Sequence, residues 1–149
     1  LGCGFGNGFL AIEADELSRE GKDARSAAQI LDEDVPHICQ YFTVDDLNYL
    51  KKTGRVSGVT AALGTVLNIK PILFGSATGQ IISCAKVRGR RKAIDALITK
   101  FNEKREKLQK QIFISHGDCP EDAEILRTAI AAAAPEAAIL PTAFDSAQA

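Results

Sequence analysis

The sequence predicts an α/β fold, a mixed sheet with helices on its faces. Three observations carry that prediction. Residues 111–115 (QIFIS) and 137–141 read as short apolar strands on either side of a helix that opens at Pro120, which is a β-α-β order. Residues 66–87 read as two strands joined by the turn GSATG. Residues 90–110 place Ile94, Leu97, Ile98, Phe101 and Leu108 on one stripe of a long helix whose other positions are mostly polar or charged.

Composition sets the bounds. With 149 residues, 46% hydrophobic and 25% charged, the chain has the make-up of one globular domain or of parts of two. A formal net charge of -1 excludes a nucleic-acid binder that works by a whole-surface basic field. No apolar run reaches the roughly 18 residues of a membrane span, and no secretory leader is evident, so a cytoplasmic location is the expectation. Cys3, Cys39, Cys84 and Cys119 are unevenly spaced with no CxxC pair, which predicts buried free thiols, no disulfide framework and no metal site. The chain begins at Leu1 and contains no Met, as a piece of a longer protein would.

From the start, LGCGFGNG reads as a loop passing close to another backbone or a ligand. It lacks both GxGxxG and GK[ST], so neither nucleotide fingerprint is present. Phe9, Ile12, Ala14 and Leu17 recur at helical spacing over residues 8–20, with Asn7 as the expected cap and Gly21 as the stop. Ser26 and Gln29 have the form of a capping box for a second helix ending near Asp34, before Pro36. Residues 37–43 alternate as a strand. Thr43, Asp45 and Asp46 open a helix that Gly54 closes, and the small residues 58–64 form a tightly packed segment. Pro71 marks the strand at 66–74 as an edge strand or one entered at a bulge.

Two clusters invite a chemical reading. His116 and Asp118 follow a strand, where a general base can sit, but no nucleophile accompanies them, and ordering of the loop is the plainer role. A small hydrolase or phosphate-transfer enzyme built on this pair is one alternative. Lys86, Arg88, Arg90, Arg91 and Lys92 crowd a strand-to-helix junction, where the helix dipole already presents positive charge. That local cost points to an anionic partner, so a protein-interaction module binding an acidic partner through residues 88–92 is a second alternative. Arg55 either joins this corner or pairs with Asp45 or Asp46.

FTVDDLNYLKKTGRVSG at 42–58, GTVLNIKPIL at 64–73 and KVRGRRKAI at 86–94, taken together and in this order, resemble the signature region of the bacterial DegV family. SHGDCPEDAEIL at 115–126 is similar to the family's later strand, loop and helix. The resemblance implies a DegV-like, two-domain α/β protein that holds a long-chain fatty acid in an apolar tunnel. In such proteins a separate fatty acid kinase subunit phosphorylates the carboxylate for phospholipid metabolism, and the carrier itself is non-catalytic and needs no cofactor beyond the bound fatty acid. It further implies that residues 1–35 end the N-terminal domain and that residues 36–149 form a C-terminal lipid-binding domain, truncated before the family's last motif. The carboxylate-binding Ser, Thr and His positions of the family fall outside this sequence. In this half, the tunnel lining is expected from Phe9, Ile12, Leu63, Leu67, Ile69 and Ile72, each of which also suits ordinary core. The family's kinase-docking Arg falls at Arg88 or Arg90.

Overall fold

The structure is a computed structural model describing residues 5–45, 68–76, 80–105 and 111–143, with side chains for all of these but Phe5 and residues 141–143. The elements assigned to the 46–67 segment, and with them Gly54, Arg55, Leu63 and Leu67, lie outside the described residues. So do Cys3 and Leu108.

Helix α1 (Phe5–Arg19) starts earlier than the glycines suggest. Gly6 lies inside it and is buried, and a Cβ there would stand 2.9 Å from the Gln40 side chain. The glycine therefore leaves room for the Gln40 side-chain amide against the helix, and Asn7 is helical instead of a cap. Gly21 does end the helix. At φ +80 it lets the Gly21 N–H reach the Ser18 carbonyl and the Lys22 N–H reach the Leu17 carbonyl, so two carbonyls of the last turn are satisfied.

Helix α2 (Ala24–Asp34) is capped by Asp23, whose carboxylate accepts from the Arg25 and Ser26 backbone N–H groups. Ser26 donates its hydroxyl to the same carboxylate and is not the cap, because the charged oxygen three residues earlier is the stronger acceptor. Pro36 then sits in a short 3-10 turn (Val35–His37), which restricts strand β1 to Tyr41–Thr43 and leaves His37 outside it.

Strands β2 (Ile69–Gly75) and β3 (Ile81–Arg88) form the expected hairpin, and β1 pairs with the other side of β2. The sheet is antiparallel, with β2 at its centre, so the edge position expected for Pro71 is not observed. The bulge alternative holds, since β3 carries one extra residue, Cys84, between the Ile72–Ala85 and Leu73–Ser83 pairs. Moreover β1 pairs only with Ile72, Leu73 and Phe74, so Pro71 has a ladder partner on one side alone. Cys39 and Cys84 are exposed, contrary to the expected burial, and Cys119 is half-buried.

Helix α3 (Arg90–Lys104) packs across β1, β2 and β3, and helix α4 (Pro120–Ala133) packs on α3 and on a second, parallel sheet of β4 (Gln111–His116) and β5 (Ala138–Ala143). Strands of both senses are thus present, in two separate sheets. Pro120 opens α4, with Glu121 and Asp122 in its first turn, where they oppose the helix dipole. Ile72, Leu73, Ala93 and Ile94 supply buried residues on the first sheet and its helix. Ile112, Ile114, Ile130 and Ala134 form a second cluster, against which Phe101 of α3 and Leu126 pack. Helix α3 therefore serves both layers, which fixes the place of its N-terminus.

Candidate functional site

The cationic junction between β3 and α3 has a defined geometry. Arg88 is the last residue of β3, opposite Ile69, and is exposed. Gly89 follows with φ 92 and ψ 151, a conformation essentially reserved for glycine, and its N–H donates to the Asn68 carbonyl at 2.9 Å. Asn68 itself has φ 66, so the open end of the hairpin closes through two left-handed residues facing each other. Asparagine tolerates that region better than most side chains.

Arg90, two residues after Arg88, turns inward. Its Nε donates to Asp122 Oδ2 at 2.6 Å, its Nη1 lies 3.5 Å from Asp45 Oδ1, and its Nη2 reaches Cys119 Sγ at 3.4 Å. Asp45 also takes Lys70 Nζ at 2.8 Å, and Lys70 donates to the Asp45 carbonyl at 3.2 Å. The chain Lys70, Asp45, Arg90, Asp122 thus ties the end of β1 to β2, α3 and α4. The hydrogen bond from Lys70, assisted by Lys70 and Arg90 charge, holds the Asp45 carboxyl below its ordinary range. Burial works to lower the Arg90 value, but the Asp122 hydrogen bond and the two carboxylate charges raise it overall. Next along α3, Arg91 pairs with Asp95 one turn on, and Lys92 is exposed. The charge placed against the helix dipole is therefore largely compensated for Arg90 and Arg91, while Arg88 remains at the surface.

Sequence reasoning identified this cluster but not the roles within it. Asp122 lies 32 positions from Arg90, and nothing in local spacing connects them. Asn68 was legible in principle, as an Asn beside a strand, with Gly at the facing corner.

The expected tunnel residues are dispersed. Phe9 of α1 is half-buried and meets Phe113 of β4 edge to face, with ring centroids 6.5 Å apart. Ile12 is 37% exposed, Ile69 is half-buried at the head of β2, and Ile72 has no accessible surface. An open groove of about 460 Å3 runs along α3 and α4 past Arg91, Ile98, Ile125 and Ala129, and it includes none of the expected lining residues. Open on one side, it does not have the enclosure of a tunnel.

His116 orders its loop. Its Nδ1 accepts the Cys119 backbone N–H at 3.3 Å, beside Asp118 at φ 55. Among the described residues, no group of three His, Cys, Asp or Glu side chains is placed to hold a metal, and no helix is long and apolar enough to cross a membrane.

Comparison with known proteins adds the following. The family model described as "Uncharacterised protein, DegV family" matches residues 3–147. A DegV domain-containing protein of Clostridium perfringens is 37% identical over 123 residues, which are 82% of this chain and 42% of that protein. The crystal structure of a fatty acid binding DegV family protein from Streptococcus agalactiae superposes with a TM-score of 0.79 at 32% identity, covering 90% of this chain and 48% of that one. The Fatty Acid Kinase (Fak) B3 protein of Streptococcus pneumoniae, loaded with linoleic acid, shares the fold at a TM-score of 0.81 and 19% identity, over 91% of this chain and 48% of that one. The chain thus spans about half the length of these relatives.

Proposed function

We propose, from the premise that this chain belongs to the DegV family, that it forms part of a carrier that buries a long-chain fatty acid and presents its carboxylate to a separate fatty acid kinase subunit. The observation that carries the reading is the similarity, over nine-tenths of the chain, to a fatty acid binding relative at 32% identity. In this half the tunnel wall draws on Phe9, Ile12 and Ile69, together with Leu63 and Leu67, whereas Ile72, with no accessible surface, belongs to the core beneath it. Affinity comes from apolar burial, about 0.8 kcal/mol per methylene, so few polar contacts are needed. Residues 1–35 close the N-terminal domain and residues 36–149 belong to the C-terminal one.

The carrier is non-catalytic, cytoplasmic and free of any cofactor beyond its fatty acid, and the acyl phosphate it helps to form enters phospholipid metabolism. Kinase docking uses Arg88. Its exposure favours it over Arg90, whose guanidinium is taken by Asp122 and Asp45. Acyl phosphate formation by a bacterial fatty acid kinase subunit, with the oleate-loaded full-length protein as substrate, tests this. Phosphate transfer that requires the carrier supports the reading. Transfer to free oleate at the same rate without it, or ester hydrolysis abolished by His116→Ala, overturns it.

A further inference from the structure

Resting on that docking reading, we propose that Arg90 and Gly89 are positioning residues: they fix the corner between β3 and α3 so that Arg88 is held outward for the partner. Three constraints converge on this one turn. Gly89 occupies a backbone region that other residues avoid, and its N–H is tied to Asn68 across the hairpin end at 2.9 Å. Arg90 is anchored on two carboxylates from different elements, Asp122 at the start of α4 and Asp45 beyond β1. Asp45 is in turn held by Lys70, a side chain only 13% exposed.

Arg88 lies one residue before this anchored turn, and its Cα is paired with Ile69 in the ladder. A long cationic side chain loses considerable freedom when it docks, and a fixed Cα–Cβ direction lowers that cost before the partner arrives. The arrangement also explains why two cations so close in sequence have opposite exposure. One is the contact, and the other is the mount. A plain stabilising ion pair would not need the glycine-only corner beside it.

The test uses the oleate-loaded full-length protein as the varied substrate of the kinase subunit, with KM and kcat measured separately. Arg88→Ala is expected to raise KM about tenfold, equivalent to about 1.4 kcal/mol, with kcat unchanged. Arg90→Gln and Gly89→Ala are expected to raise KM in the same direction by a smaller factor, while retaining bound oleate. Arg90→Lys, which keeps the charge but loses the forked geometry, restores part of the loss. The deciding readout is the double variant: Arg90→Gln has no further effect once Arg88 is Ala, since it acts through Arg88. Multiplying effects would make Arg90 a contact in its own right and overturn the proposal. Wild-type KM in Arg90→Gln and Gly89→Ala, with Arg88→Ala impaired, would also overturn it and leave the docking reading intact. Wild-type KM in Arg88→Ala removes the docking reading, and this inference with it. Should Arg90→Gln fail to fold, Asp122→Asn, which withdraws the closer of the two anchors, is read by the same criteria.

Discussion

Replacing Gly89 with Ala isolates backbone conformation from packing. The position has φ 92 and ψ 151, and holding a side-chain-bearing residue there costs about 1–3 kcal/mol. Space is not the issue, because the nearest atom to the new Cβ is Asn68 Nδ2 at 3.8 Å, an ordinary contact. The whole penalty is therefore conformational. With an unfolding entropy of about 2.1 cal/mol/K per residue, 1 kcal/mol corresponds to about 3 °C for 149 residues, so the midpoint falls by roughly 3–10 °C. Gly117→Ala is the control: a Cβ there meets nothing within 4 Å, and no positive φ is involved, so its midpoint stays put or rises slightly. Thermal melts of the three proteins, supported by urea titrations with an unchanged slope, read the difference. Equal midpoints for Gly89→Ala and the unaltered protein would refute the claim that this corner depends on glycine.

Other consequences follow from the same geometry. Ile72→Ala removes a side chain with no accessible surface and should destabilise by about 2–5 kcal/mol, whereas Ile12→Ala, at 37% exposure, should stay within about 0.5 kcal/mol; urea unfolding compares them. The Asp45 carboxyl is held below its ordinary value of 3.8 chiefly by Lys70, so its contribution is complete above that value and is lost as the pH falls through the lower, folded-state value. Asp45→Asn should accordingly flatten the acid limb of stability between about pH 2 and pH 5, and parallel limbs in the two proteins would contradict this. The contribution is small, because the Asp45 side chain is 71% exposed and well screened.

The architecture was legible where periodicity and stop signals agreed. Pro120 with its two acids and Gly21 act through local rules and appear where the sequence placed them, while the apolar stripe of α3 holds from Ile94 to Phe101 in a helix that ends at Lys104, short of the expected residue 110. The errors came from competition. Asp23 outbids Ser26 as a cap, Pro36 draws His37 into a 3-10 turn, and Gly6 and Gly8 lie inside a helix instead of a loop. The crowding of Lys86, Arg88, Arg90, Arg91 and Lys92 foretold a cationic corner, yet its division of labour depends on Asp122 and Asp45, which reach Arg90 only through the fold.

The carrier reading is tested most directly by native mass spectrometry of the folded full-length protein purified from a bacterial host. The account predicts a mass increment equal to one long-chain fatty acid per protein, lost on denaturation and recovered as free fatty acid in the organic extract. A folded full-length sample carrying no fatty acid, and taking up none when offered oleate, would contradict it.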